Sequence, residues 1–305
     1  MKRIYSSLFF FFLMCNIPAF GQSASFLGLW PDAATLAMGG TGTVATTGAF
    51  SLYNNTAATV LSDTKGALGA SYTLWQTGRT NHLAALSGFS MLGQKNAISL
   101  GFRSYLHPVS ELSNPEGNVT DTYKPLEFSV DLGYAYKIAE NFSAGATLHY
   151  IRSQMGPEHA GNAFAADLGL LYKPGFLSIG LTAKNLGTKI NYGYGAYHLP
   201  AHIELGTGAH MALGDKHAVH AVLQGGYLLA TGGFTAGAGL EYLYGKVVAV
   251  RLGGHYGNPE KGIPSYVSAG LGFCLGGVSL QGTWLLGLHN SLLTNSFTIG
   301  LGWAF

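Results

Sequence analysis

The stretch "PLEFSVDLGYAYK", Pro125 to Lys137, decides the fold. Laid out as an extended chain, it places Leu126, Phe128, Val130, Leu132, Tyr134 and Tyr136 on one side. Glu127, Ser129, Asp131, Gly133 and Lys137 fall on the other, because successive side chains of a strand point to opposite faces. The period is two, which a helix cannot produce. "HIELGTGAHMAL" repeats the arrangement, with Ile203, Leu205, Thr207, Ala209, Met211 and Leu213 opposing Glu204, Gly206, Gly208 and His210.

Working outward, segments of this kind fall at about 66–76, 81–92, 96–106, 125–137, 142–153, 162–173, 176–186, 201–213, 217–228, 233–244, 246–256, 266–275, 277–287 and 296–305, fourteen in all. Each matches the length of a tilted strand that crosses a bilayer, about 9 to 11 residues plus an extension. Their connections sort by parity. Even-to-odd joins are tight: "GQK" near Lys95, "AEN" near Glu140, "PG" at Pro174, "GDK" at Asp215, "YGK" near Gly245 and "LGG" at Gly276. Odd-to-even joins are long at Leu106 to Pro125, Gln154 to Asn162, Thr188 to Leu199, "NPEKGIPS" and "HNSLLTN", and short near Thr77 and Thr231. Short periplasmic turns opposite longer outside loops, with an even strand count, are the pattern of a bacterial outer-membrane barrel.

Composition agrees. The chain is 48% hydrophobic and only 10% charged, with 45 glycines and 17 tyrosines. Beyond the amino terminus it has no apolar run of the roughly 18 residues that a membrane helix needs. A strand that shows lipid every second side chain reconciles the two. The net charge of +2 gives no reason to expect a nucleic-acid partner.

Lys2, Arg3, an apolar run and "AFGQ" read as a secretory signal over residues 1–21, cut between Gly21 and Gln22. A lipoprotein signal at Cys15 is disfavoured by Met14 before it, and Cys274 then remains alone, without a partner for an internal disulfide. The expected organisation is an all-β transmembrane barrel of about fourteen antiparallel strands over residues 66–305, with residues 22–65 as a hatch in the lumen. Glycine and alanine dominate that segment, which can neither span lipid nor build a core of its own. Tyrosines and tryptophans near strand ends, Trp75, Tyr105, Tyr136, Tyr172 and Tyr244, are expected in aromatic girdles.

Extending the alternation inward, the face opposite lipid collects Arg103, Glu127, Asp131, Asp167, Lys184, Glu204, Glu241 and Arg251. Facing lipid, such groups cost a few kcal/mol each at mid-bilayer, so they are expected to pair in the lumen. The same residues also suit a second reading, a selective path for ions or solutes through the lumen. His217 and His220 fall on opposite faces of a strand, and His198, His202 and His210 lack a cysteine or carboxylate at ligand spacing, so no metal is expected. There is no G-x-S-x-G, H-E-x-x-H or Walker lysine, so no catalytic residue is assigned. "GTGTVA", Gly40 to Ala45, spells a dinucleotide fingerprint, but no buried strand precedes it and no βαβ unit surrounds it, so no cofactor is expected. Its glycines are expected to let the hatch turn sharply and lie close to the inner wall.

The hatch carries a further signal. In "FLGLWPDAATLAMGGTGTVATTGAFSLYNNTAATV", Phe26, Leu27, Pro31, Ala33, Ala37, Met38, Gly39, Gly40, Gly42 and Val44 follow the amino-terminal pattern of the PorV/PorQ family of type IX secretion outer-membrane proteins, which the chain resembles. Asn55 stands for the asparagine of the family's W-N-P-A-like turn, whereas Asn54 replaces its aromatic, Thr56 its proline and Thr35 an upstream arginine. "FAADLGLLYKPGFLSIGLTAKNLGTKINYG", Phe164 to Gly193, is similar to the middle of these proteins. The last strand, "SFTIGLGWAF", sets Phe297, Ile299, Leu301, Trp303 and Phe305 on one face and resembles the insertion signal of outer-membrane barrels. The resemblance implies a FadL-like barrel with a hatch, no enzymatic activity, and partners drawn from secretion-system proteins or cargo carboxyl-terminal domains, met by the outside loops. The alternative it leaves open is a FadL-like channel for hydrophobic small molecules.

Overall fold

In the computed structural model, residues 23–44, 48–76, 80–114, 116–258, 261, 263–288, 293 and 295–305 are described. The expected signal, residues 1–21, and Ala45 of the glycine-rich stretch lie outside them. Among the described residues eighteen strands follow in chain order: β1 Gly66–Gln76, β2 Thr80–Leu92, β3 Asn96–Leu106, β4 Ser110–Ser113, β5 Val119–Tyr123, β6 Leu126–Ala139, β7 Phe142–Gln154, β8 Ala160–Tyr172, β9 Leu177–Gly187, β10 Ile190–Asn191, β11 Ala196–Tyr197, β12 His202–Leu213, β13 His217–Leu228, β14 Gly233–Tyr244, β15 Val248–Gly257, β16 Tyr266–Leu275, β17 Val278–Gly287 and β18 Ser296–Ala304. Fourteen of them pair antiparallel into one closed barrel, sealed where β1 meets β18 from Ala67↔Ala304 to Leu74↔Phe297. The remaining four form two small hairpins, β4–β5 and β10–β11.

The alternation read from the sequence is the alternation of the wall. Along β6, Leu126, Val130, Leu132, Tyr134 and Tyr136 are exposed on the outside, while Glu127, Ser129, Asp131, Gly133 and Ala135 are buried inside. Phe297, Ile299, Leu301, Trp303 and Phe305 all face outward at the end of the chain. Tyr136, Tyr172 and Tyr244 are exposed near the tight-turn rim, as a girdle requires. Trp75 and Tyr105 correct the expectation. Both fall on the inward parity of their strands and are buried, Trp75 against Leu36 and Leu285, and Tyr105 stacked on Phe26 at 6.3 Å.

The hatch crosses the barrel from one rim to the other. Ser23 donates its backbone N–H to His198 O at the long-loop rim, and Lys65 donates to Phe305 O at the tight-turn rim. Between them, α1 (Ala33–Ala37) starts on Asp32, whose side chain accepts from Ala34 N and Thr35 N, and stops at Gly39 and Gly40, both at φ +72°. It packs against β15 to β18. A short α2 (Ser51–Asn54) and a 3-10 turn (Thr56–Leu61) then pack against the opposite side, from β2 to β8.

This crossing explains where many of the glycines go. Wall glycines such as Gly101, Gly133, Gly145, Gly180 and Gly253 face the hatch, and a Cβ on any of them would run into its atoms. At Gly145, for example, it would stand 2.5 Å from Ala57 N. Gly39 makes the close approach expected of the hatch glycines, a Cβ on it standing 2.4 Å from Gly254 O, and the wall glycines match it from the other side. Gly253→Val, whose added carbon would overlap Gly39 N and Met38 C, is therefore expected to lower barrel stability by about 1–3 kcal/mol, the usual cost of overpacking. Heat-modifiable electrophoretic mobility measures it. Gly282→Val, where nothing lies within 4 Å, is the control expected to behave like the parent.

Candidate functional site

The predicted inward charges all prove to be buried, Arg103, Glu127, Asp131, Asp167, Lys184, Glu204, Glu241 and Arg251 alike. Six of them line the lumen on β3, β6, β8, β9 and β12, and four of these, Arg103, Asp131, Lys184 and Glu204, bond to the hatch directly. Asp131, 0% exposed, is the centre. It accepts from Tyr53 OH of the hatch at 2.8 Å, from Ser129 Oγ at 3.1 Å, and pairs with His149 Nδ1 at 2.6 Å. His149 turns its Nε2 toward Asp167 Oδ1 at 3.0 Å, without the alignment of a hydrogen bond. Burial lifts the Tyr53 phenol well above its ordinary range, and the Asp131 charge adds to the shift, so Tyr53 remains a donor.

Arg103 does not pair with a carboxylate directly. Its Nε donates to Ser129 Oγ at 3.0 Å and its Nη1 to the hatch carbonyl of Leu27 at 3.1 Å, with the guanidinium 4.9 Å from the Tyr53 ring centroid. Lys184 donates to Tyr53 O at 2.9 Å, stands 3.5 Å from Glu204 Oε2 and lies 3.9 Å from the Trp30 ring centroid. These contacts to backbone carbonyls and ring faces tie wall charges to the hatch itself, satisfying groups that would be costly to bury unpaired.

A local irregularity in the wall makes this possible. Between Ala166 and Leu168 the β8–β9 register shifts, and Asn185 adopts φ +56°. Lys184 and Asn185 are consequently both buried, where strict alternation would have sent one of them outside. A bulge re-aims side chains in this way. Asn185 N then donates to Asp167 Oδ1 at 2.7 Å and Asn185 Nδ2 to Pro200 O at 3.2 Å.

Glu241 and Arg251 pair separately, nearer the tight-turn rim, at 2.6 Å, and Arg251 reaches on to Gln281 Oε1 at 2.5 Å. Glu127 sits toward the other rim, 3.0 Å from His107 Nε2 and accepting from Ser153 Oγ at 2.7 Å.

The hatch residues singled out in the sequence are buried as well. Met38 and Gly39 lie against Gly239 and Gly253 of β14 and β15, Gly40 and Gly42 lie against Trp30, and Pro31 precedes the capping Asp32. Asn55 binds in three directions, donating to Thr43 O at 2.9 Å and to Leu170 O of the wall at 3.1 Å, and accepting from Ala57 N at 3.1 Å. Thr35 and Asn54, two of the departures from the family pattern, touch one another. Asn54 Nδ2 donates to Thr35 Oγ1 at 2.9 Å and to Asp32 Oδ2 at 3.1 Å.

At the long-loop rim, the three segments expected to meet partners form one surface. Tyr123 of the β4–β5 hairpin donates to Gln154 O at 2.5 Å, and His159 meets Tyr194 edge-on at 4.9 Å. Tyr192, Tyr194 and Tyr197 cluster with ring centroids 6.0 to 6.2 Å apart. Tyr192 also bonds to Ser23 of the hatch and donates to Ser153 Oγ at 2.7 Å, so the loop surface and the hatch are one connected structure. Val109, Val119, Met155 and Tyr194 are exposed on this surface, Tyr194 at 63%.

Among the described residues no group of three or more histidine, cysteine, aspartate or glutamate side chains could hold a metal ion. His217 is exposed beside Tyr242, His220 is buried with its ring 6.0 Å from that of His210, and His202 bonds to Pro200 O.

The family model for Type IX secretion system protein PorV matches residues 18–231. No curated protein matches the chain. In fold it is similar to the toluene transporter TbuX of Ralstonia pickettii, with a TM-score of 0.65 and 15% identity over 95% of this chain and 99% of that one. It is similar to the CymD monoaromatic hydrocarbon channel, with a TM-score of 0.64 and 15% identity over 95% of this chain and 98% of that one. A FadL homologue of Pseudomonas aeruginosa has a TM-score of 0.60 and 11% identity over 90% of this chain and 98% of that one. At these identities the likeness is one of fold.

Proposed function

Because the chain belongs to the PorV family of type IX secretion outer-membrane barrels, we propose that it is a non-enzymatic component of protein secretion whose outside loops hold cargo carboxyl-terminal domains or attachment-complex partners at the cell surface. The observation that carries this reading is the joined loop surface. Exposed Val109, Val119, Met155 and Tyr194 are held in place by the Tyr123–Gln154 and His159–Tyr194 contacts, and Tyr192 ties that surface to the hatch. Apolar and aromatic side chains on a fixed frame are the chemistry of a protein-binding patch.

The solved neighbours of the same fold include channels for monoaromatic hydrocarbons, which keeps a hydrophobic-solute channel as the alternative. Against it stands the filling of the lumen. Phe26 and Leu27 occupy its outer part against Leu83, Tyr105 and Ile151, and the space bounded by Leu27, Trp30, Arg103 and Lys184 is about 10 Å³, room for one water. Cells carrying a photo-crosslinking residue at position 194 test the proposal. Adducts with cargo domains or other secretion proteins are the expected result. Adducts with none of these, together with uptake of a hydrocarbon that depends on this protein, would overturn it.

A further inference from the structure

The outside of the barrel is not uniformly bulky. Across β12 to β16 the outward positions Gly225, Ala236, Ala238 and Gly254 are small, where β3, β6 and β18 present leucine, isoleucine, phenylalanine and tryptophan. They floor a groove in the wall. Its upper part measures about 930 Å³ and starts at the long-loop rim beside Gly257 and Leu288. Its lower part, about 590 Å³, continues past Ala221 to Leu240 and Leu252, and the two parts share Thr207, Leu223, Ala238 and Gly254. Among the described residues no hatch residue lines either part; the outward Ile179, Leu205, Leu223, Tyr256 and Val267 do, with Gln224, His255 and Tyr266 of the inner face behind the small positions. The groove therefore lies on the face turned to the membrane.

We propose that this groove binds an acyl chain of a lipid of the outer leaflet, laid lengthwise with its polar end at the long-loop rim. Three observations choose that occupant. The groove is cut into the apolar belt of a barrel that sits in the outer membrane, so lipid is what meets it. The walls are Leu205, Leu223, Leu240, Leu252 and Tyr256, all exposed. Polar side chains of its lining are already used within the protein: Thr207 donates to Ser178 O at 3.2 Å, and Gln224, His255 and Ser265 bond to the hatch or the wall. The upper part opens at the rim near the level of the headgroups and runs down the wall, as a chain entering from the outer leaflet would. Its volume falls within the range of roughly 300–1,000 Å³ that small apolar ligands fill. A chain lying against glycine and alanine gains contacts along its length that a chain beside protruding leucines does not.

The test uses the full-length protein in vesicles containing palmitoyl-oleoyl phosphatidylethanolamine and a trace of the same lipid with a diazirine on one acyl chain. After irradiation, labelling at Leu205, Leu223 and Tyr256 is compared with labelling at Leu100, exposed elsewhere on the wall. Labelling about tenfold above Leu100 is expected, the ratio that 1.4 kcal/mol of preference produces. The double variant Gly225→Leu/Ala238→Leu should bring it down to the Leu100 level. The single variant Ala236→Leu should reduce it in part, and heat-modifiable mobility shows that each variant folds. Equal labelling of both walls in the parent overturns the proposal. So does a groove that stays unlabelled in native membranes while crosslinking there to another protein.

Discussion

Asp131→Leu is expected to loosen the hatch from the wall and to lower stability by about 3–5 kcal/mol, the cost of removing one member of a buried charged network. The carboxylate accepts from Tyr53 OH and Ser129 Oγ and pairs with His149, and none of these has an equivalent acceptor once it is gone. Leucine adds no volume problem but leaves a phenol and an imidazole nitrogen buried without partners, which is the expensive outcome. The strand ladders on either side, β3–β6 and β6–β7, pair through backbone and should survive. The predicted phenotype is therefore a barrel that still forms, with an earlier heat-modification midpoint and a hatch newly open to added protease. Asp131→Asn keeps an acceptor and should lie between the two. A midpoint unchanged in Asp131→Leu would show that the hatch is held by its glycine contacts and apolar packing alone.

The second large effect is expected at the loop surface. Tyr194→Ala combined with Met155→Ser removes two exposed side chains from the surface formed by the 154–162 and 188–199 loops, and Tyr194 is the ring that His159 buttresses. An aromatic anchor at the middle of a protein interface costs about 2 kcal/mol or more when truncated, a loss of roughly thirtyfold in affinity. Both side chains are solvent-exposed in the isolated chain, so stability should change by less than about 0.5 kcal/mol. Retention of cargo domains by the purified variant checks the prediction. Loss of retention without loss of folding is the expected pair of results, and undiminished retention would move the partner surface away from these loops.

How much of this was visible in the sequence depends on what each feature rests on. The strands were, because their period of two follows from burying one face only: the segments read at 66–76 and 217–228 coincide with β1 and β13. The inward charges were visible for the same reason. Their partners were less so. His149 occupies an inward position of β7 between Thr147 and Ile151, so parity placed it in the lumen, but only the folded wall brings it between Asp131 and Asp167. The burial of both Lys184 and Asn185 comes from a bulge that strict alternation cannot foresee. Nearness to strand ends points Trp75 and Tyr105 to the girdles, but it ignores which face they occupy, and both face inward. The β4–β5 hairpin was hidden inside a loop because it pairs with itself and buries little, so it carries no apolar face.

The hatch glycines are legible in the sequence, but their counterparts in the wall are not. Gly39 and Gly40 do turn sharply, at φ +72° each, yet the contact that lets the chain lie on the wall needs glycine in the wall too. That requirement links Met38–Gly39 to Gly239 and Gly253, residues some two hundred positions apart. No local pattern in the chain announces such a pairing.

Deletion of the gene followed by proteomics of the cell surface separates protein export from solute uptake as the role proposed for this barrel. The expectation is that proteins bearing type IX carboxyl-terminal domains disappear from the surface while uptake of hydrophobic compounds is unaffected. An unchanged set of surface cargo, with uptake of a hydrophobic compound lost, would contradict it.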